Sequence, residues 1–211
     1  MDRTSPIEAL LFDLGGVVID IDFEQMFCHW SPRSRLSLQQ MKQRFRVDEP
    51  FKQHERGELD TRDYMRHLGR QLEIEATEDQ IAAGWNALLI EQIDSALDLV
   101  DTARKHLPCY AFSNTSAVHR TEWGRRFPRV FESFEQLFLS FELGIRKPDP
   151  EAYRFVAGKI GVAPEKILFF DDTGENIEGA RAAGLNAVQV RSPSDIEQAL
   201  AGVGALNRGA G

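Results

Sequence analysis

Apolar residues first concentrate at Ala9-Leu-Leu-Phe12, an unbroken run that predicts a strand buried on both faces and therefore a parallel sheet. The run ends in a carboxylate, Asp13, followed by Gly15 and Gly16, which let the backbone turn closely around whatever Asp13 holds. After Asp22 the period changes from strand to helix and stays helical for about seventy residues. Leu38, Met41 and Phe45 share one helix face, and Tyr64, Met65, Leu68 and Leu72 share another. Asp22 with Gln25, Ser37 with Gln40 and Thr77 with Gln80 read as capping boxes at helix entries. Residues 23–92 are therefore expected to form a small helical module inserted between 1–22 and 93–211.

From Asp94 helix and strand alternate. A helix over 95–106 precedes the strand Cys109–Phe112, which ends in Ser113-Asn-Thr-Ser116, and a further helix runs to Arg126. Gln136–Leu139 reads as a short strand. In Gly144-Ile-Arg-Lys-Pro-Asp-Pro150, Asp149 can cap a helix whose first residue is Pro150 and whose apolar stripe is Tyr153, Val156, Ala157 and Ile160. The strand Lys166–Phe170 ends in Asp171-Asp172; a helix to Gly184, the strand Ala187–Val190 and a helix capped by Ser194 with Glu197 follow. The tail from Gly202 to Gly211 is expected to fray. Such alternation predicts an α/β fold with a doubly wound parallel sheet and right-handed crossovers.

Composition narrows the partners. Lys and Arg number 25 against 33 Asp and Glu, and a formal charge of −8 disfavours a nucleic-acid backbone. The two cysteines, Cys28 and Cys109, have no CxxC spacing and sit among apolar or aromatic neighbours, which predicts reduced structural thiols rather than a disulfide or zinc site. No apolar run approaches membrane-span length, and Met1–Pro6 lacks an apolar signal region, so a cytoplasmic protein with no membrane partner is expected. The oligomeric state stays open, a monomer being compatible.

In a parallel sheet Asp13, Ser113 and the pair Asp171-Asp172 emerge on one rim, and Lys147 on its preproline turn can reach them. Carboxylates so close repel one another, and a hard divalent cation, Mg²⁺, is the ordinary remedy. Such a site suits a small phosphorylated metabolite: Asp13 can attack phosphorus, Lys147 neutralise the equatorial oxygens, and Ser113 and Asn114 hydrogen-bond to them. Each residue also has a plainer use, Asp13 as a turn residue, Ser113-Asn114 as a helix cap, Lys147 as an exposed cation. Asp171-Asp172 is harder to dismiss, because adjacent carboxylates after a buried strand are costly without a cation or donors. Trp30, Trp85 and Trp123 read as packing residues, and His29, His67, His106 and His119 as surface or ordinary core residues. Arg125, Arg126 and Arg129 read as a solvated basic face.

These motifs resemble, in their order along nearly the whole chain, the haloacid dehalogenase-like superfamily of Rossmann-like hydrolases. The matching residues are Asp13 in Phe-Asp-Leu-Gly-Gly-Val, Ser113 in Ala-Phe-Ser-Asn-Thr, Lys147 in Arg-Lys-Pro-Asp-Pro, and Asp171 and Asp172 with Asn176. The resemblance implies a metal shell of Asp13, the Gly15 carbonyl and Asp172, with Asp171 close by, and makes the insertion a helical cap over the sheet edge. Asp20-Ile-Asp-Phe23, Gln53-His-Glu-Arg-Gly-Glu58 and the segment after Asp171 resemble, more narrowly, bacterial α-D-glucose-1-phosphate phosphatases. That likeness makes His54, Glu55 and Arg56 cap contacts to substrate, although Gln53–Glu58 alone also reads as a solvated helix end with Gly57 as its cap.

One position departs from the pattern. Most phosphatases of the superfamily carry an acid-base Asp two residues after the nucleophile, and here Gly15 occupies that place. Either Asp20, Asp22 or a cap residue such as His54 substitutes, or the leaving group needs little help, as a sugar anomeric oxygen would. The leading expectation is thus a Mg²⁺-dependent phosphatase acting on a sugar phosphate such as glucose 1-phosphate through a phospho-Asp13 intermediate. The alternatives are a metal-independent 2-haloacid dehalogenase, for which Gly15 is harmless, and a catalytically weak phosphosugar-binding protein.

Overall fold

The computed structural model describes residues 6–206; the expectations for Met1–Ser5 and for the tail beyond Leu206 lie outside it. Strand β1 (Ala9–Phe12) is followed by β2 (Ile19–Ile21), then by helices α1 (Phe23–Trp30), α2 (Leu38–Arg44), α3 (Glu49–Glu55), α4 (Thr61–Gln71) and α5 (Glu78–Asn86). Next come β3 (Leu89–Gln92), α6 (Asp94–Ala103), β4 (Cys109–Ser113), α7 (Ala117–Arg126), α8 (Arg129–Glu132), β5 (Gln136–Leu139), α9 (Ser140–Leu143) and α10 (Pro150–Ile160). The chain ends in β6 (Ile167–Asp171), α11 (Gly174–Ala182), β7 (Asn186–Gln189) and α12 (Pro193–Gly202).

The sheet has the order β5-β4-β1-β6-β7 with every pairing parallel, so β1 is central and the order reverses beside it. Its strands read as continuous apolar runs because both faces are covered. Leu10 and Phe12 face one core, which α6 and α12 complete with Leu97, Val100, Ile196 and Leu200. Ala9 and Leu11 face the other, completed by Tyr153 and Val156 of α10 and Ala180 of α11. Phe12 stacks on Phe170 of the adjacent strand at 4.5 Å, which fixes the register just before the two carboxylates Asp13 and Asp171.

The inserted segment departs from expectation at its end. Leu89–Gln92 is a strand, not helix, and pairs antiparallel with β2. A short apolar run such as Leu88-Leu-Ile carries no period that separates helix from strand, so its partner decides. The same ribbon explains the first cap. Asp22 accepts from the Glu24 N–H, but its own N–H donates to the Leu88 carbonyl at 2.8 Å and is unavailable to Gln25, so no reciprocal box forms. Ser37 with Gln40 and Thr77 with Gln80 do form capping boxes.

The last helix begins two residues earlier than expected, with Ser192 and Asp195 as the box and Pro193 in the first turn. Gly202–Leu206 is not frayed throughout: the Ala205 N–H donates to the Leu200 carbonyl at 2.9 Å, and Ala205 is buried. Cys109 is buried, and burial pushes its thiol up to about 12, whereas Cys28 is exposed, contrary to expectation. Arg129 is not a solvated cation either, since Asp94, Asp98 and Asp101 surround it. No helix among the described residues is long and apolar enough to cross a membrane.

Candidate active site

Because β4, β1 and β6 are neighbours in register, their carboxyl ends deliver Ser113, Asp13 and Asp171 to one rim. Lys147 joins them from the loop before α10. Its ammonium donates to Asp13 Oδ1 at 2.9 Å and to Asp171 Oδ2 at 2.6 Å, with the whole side chain buried. Burial opposes the charged ammonium, but Asp13 and Asp171 outweigh it and hold Lys147 above the ordinary lysine range. Its position is set by Asn114, whose carboxamide takes the Lys147 N–H and donates to the Lys147 carbonyl, both at 2.9 Å. The Asn114 side chain is thus occupied in holding the lysine loop.

Asp171 is saturated by protein donors. Besides Lys147 it accepts from the Thr173 N–H at 2.9 Å and from Asn176 Nδ2 at 3.0 and 3.1 Å. Asp13 accepts from the Leu14 N–H at 2.7 Å and from Lys147 on Oδ1, while Oδ2 has no protein partner among the described residues. Carboxylate oxygens of Asp13, Asp171 and Asp172 lie within 4.8 Å of one another. Burial, followed by repulsion from Asp171 and Asp172, pushes the Asp13 carboxyl up to about 8 against the pull of Lys147. Asp172 is raised too, by burial and by Asp171. Gly16, at φ +73°, lets the loop close on this group: a Cβ there would stand 2.4 Å from Asp172 Oδ2.

A cavity of about 620 Å³ opens above these residues. Asp13, Gly15, Ser113, Asn114, Asp172 and Asn176 line one end, and Ile21, Phe51, Trp85, Leu88 and Trp123 wall the rest. Trp85 and Trp123 therefore face the cavity as well as packing. Of the three residues expected from the inserted helices, His54 and Glu55 line it, while Arg56 bonds Glu49 and Glu58 at 2.7 Å each and does not. His54 Nδ1 lies 3.1 Å from the Leu59 carbonyl, which can only accept, so Nδ1 carries the proton; burial depresses its basicity. Asp20 and Asp22 do not reach the cavity lining. Gln53–Glu58 does end a helix at Gly57, as the plainer reading has it, and Gly57 and Glu58 are exposed there, while His54 is buried and Gly57 lies against the Phe141 carbonyl of α9.

Two cavity residues escaped the sequence reading. His119 stacks on Trp85 at 5.0 Å and meets Asn86 Oδ1 through Nδ1 at 2.8 Å; burial, then His54, drives it down to about 3. A single histidine on an amphipathic helix carries no signal of this. Arg146 donates from Nε to Glu55 Oε2 at 2.7 Å. Its adjacency to Lys147 was the only available hint.

The model of the haloacid dehalogenase-like hydrolases matches residues 7–184. The D-ribitol-5-phosphate phosphatase of Bacteroides thetaiotaomicron is 26% identical over 199 residues, spanning 92% of this chain and 97% of that protein. A solved enzyme from the same organism, in complex with magnesium and inorganic phosphate, superposes with a TM-score of 0.77 at 29% identity, covering 88% of this chain and 94% of that one. An L-2-haloacid dehalogenase from Xanthobacter autotrophicus shares the fold at a TM-score of 0.66 and 18% identity, covering 93% of this chain and 83% of that one.

Proposed function

We propose that this chain, which belongs to the haloacid dehalogenase-like hydrolase family, is a magnesium-dependent phosphoric monoester hydrolase acting on a small phosphorylated metabolite through a phospho-Asp13 intermediate. The observation that carries the reading is the state of Asp13: Oδ1 is fixed by Lys147 and the Leu14 N–H, and Oδ2 is left without a partner among the described residues, at the cavity that Asp13 lines. A nucleophile needs that arrangement, one oxygen oriented and one free. The magnesium and phosphate complex of the B. thetaiotaomicron relative supports the same chemistry.

The donor set fits a hard cation. Three carboxylates face one ammonium, and Asp171 is already satisfied, so Asp13 and Asp172, with the Gly15 carbonyl, are the residues that would hold Mg²⁺. When bound, it supplies positive charge to the phosphoryl oxygens. Asp13 Oδ2 attacks phosphorus in line and the bond to the leaving oxygen breaks. Lys147 draws the Asp13 carboxyl toward its ionised form against burial and places its charge beneath the phosphoryl group, and the Ser113 hydroxyl donates to a phosphoryl oxygen. The leaving oxygen departs as an alkoxide and takes a proton from solvent; water then attacks phosphorus, its proton passing to solvent, and the Asp13 ester bond breaks to release phosphate. Residues 23–92 act as the cap, bringing His54 and Glu55 over the site and excluding bulk water.

Within this class we assign a sugar or sugar-alcohol phosphate, glucose 1-phosphate among them, because aromatic walls interleaved with polar side chains such as Glu55 and Arg146 suit a compact ring or polyol chain. An anomeric leaving oxygen also offsets the missing acid at Gly15. The test is phosphate release from glucose 1-phosphate, ribitol 5-phosphate, glucose 6-phosphate and acetyl phosphate, with Mg²⁺ and with EDTA. Turnover should require metal and fall at least a thousandfold in Asp13→Asn. Undiminished turnover in that variant would remove Asp13 as the nucleophile, and halide release from 2-chloropropionate in EDTA would favour the dehalogenase.

A further inference from the structure

The ion pair Glu55–Arg146 joins the helix α3 to the residue before Lys147, 91 positions away in the chain, with Arg146 Nε and Glu55 Oε2 at 2.7 Å. Both side chains are largely withdrawn from solvent, at 17% and 13% exposure, and both line the cavity. The pair is incomplete as a set of hydrogen bonds. Arg146 uses only Nε, leaving both Nη groups without a protein partner among the described residues, and Glu55 likewise leaves Oε1. Burial lifts the Glu55 carboxyl, against the pull of Arg146.

Alone, a guanidinium one residue from Lys147 would make this end of the cavity a second anion site. Glu55 cancels that charge. The two other charged residues lining the cavity outside the group of Asp13 and Asp172, Lys52 and Glu175, also cancel formally, so Glu55 and Arg146 add no net charge to the lining while leaving donors and an acceptor unfilled. A carboxylate oxygen beside guanidinium N–H groups matches adjacent hydroxyls, one donating and one accepting, and it penalises a second phosphate or carboxylate.

We infer that Glu55 and Arg146 together select the leaving group: a neutral, hydroxyl-bearing alcohol is accepted, and a phosphate ester carrying a second anionic group is rejected because Glu55 neutralises Arg146 and repels the second anion. This selection rests on the phosphatase reading only for the placement of the phosphate, and equilibrium binding tests it without turnover. Isothermal titration in the Asp13→Asn background with Mg²⁺ compares ribitol 5-phosphate, a neutral polyol ester, with 3-phosphoglycerate, which bears a carboxylate.

The parent should prefer the polyol ester at least tenfold. Adding Glu55→Gln should lower that ratio at least tenfold, because 3-phosphoglycerate gains the freed guanidinium. Adding Arg146→Gln should move the ratio the other way, because Glu55 is then an uncompensated negative charge. The opposite signs separate selection from a structural tie between helix and loop, which would weaken both ligands together. A ratio unchanged in both variants, or moving in the same direction in both, overturns the inference while leaving the phosphatase reading intact. Absence of phosphate release by the unmodified protein, with the ratios behaving as described, overturns that reading alone.

Discussion

Lys147 holds a buried charge because two carboxylates hold it in turn, 2.9 and 2.6 Å away, and their pull outweighs the burial that opposes its ammonium. His119 makes the opposite bargain with burial: it stays neutral. Its proton affinity falls from the ordinary 6.5 to about 3, so between those values the unfolded chain binds a proton that the folded chain refuses. Its contribution to stability is therefore intact above pH 6.5 and is lost as pH falls below it. Between pH 7.5 and pH 5 the loss from this residue is about 2 kcal/mol. Urea unfolding of the unmodified protein and of His119→Asn at the two pH values should show their difference shifting by that amount in favour of the variant on acidification. A constant difference would mean that His119 protonates in the folded state. Asp13, Ser113, Lys147 and Asp171-Asp172 were legible in the sequence because strand ends and a preproline turn fix where they emerge. Arg146 and His119 were not, since nothing in a single position tells which way a side chain leans.

At the scale of elements, α3 ends where it does because Gly57 adopts φ +71° and a Cβ there would stand 2.3 Å from the Phe141 carbonyl oxygen of α9. Helix termination and docking are therefore one event. Gly57→Ala should destabilise the fold by at least about 1 kcal/mol, through both the left-handed backbone and the clash, as read by chemical denaturation. An unchanged midpoint would show that α3 can pull away from α9 freely. The parallel strands and most helices could be placed from apolar runs, caps and proline, because those signals are local. The ribbon strand β3 could not: Leu89–Gln92 is defined by its pairing with Ile19–Ile21, about seventy residues upstream, and pairing over that distance leaves no mark on a short apolar run. The same pairing removed the Asp22 N–H from its expected cap. His54 and Glu55 reached the cavity while Arg56 turned outward, a choice made by the last turn of α3 and by Glu49 and Glu58.

For the molecule as a whole, the concentration of unneutralised carboxylates at the sheet rim is a standing penalty that a cation relieves. Mg²⁺ should raise the melting temperature by itself, and inorganic phosphate should add to it only when Mg²⁺ is present, about 2.7 kcal/mol being available at a hundredfold excess over Kd. Phosphate stabilising equally in EDTA would show that Lys147 and its neighbours suffice for the anion. The fold that carries this site has a separate property. The helices α1 to α5 leave the two-stranded ribbon of β2 and β3 at Asp22 and rejoin it at Leu88, and those two residues are hydrogen-bonded to each other. The excursion between them is closed at its base, so its contour length is uncoupled from the spacing of the strands. Helices could be lengthened, exchanged or lost inside that loop without shifting Asp13 relative to Ser113 or Asp171. The scaffold therefore allows the leaving-group wall to diverge between descendants of one ancestral chain while the reacting carboxylate stays in place.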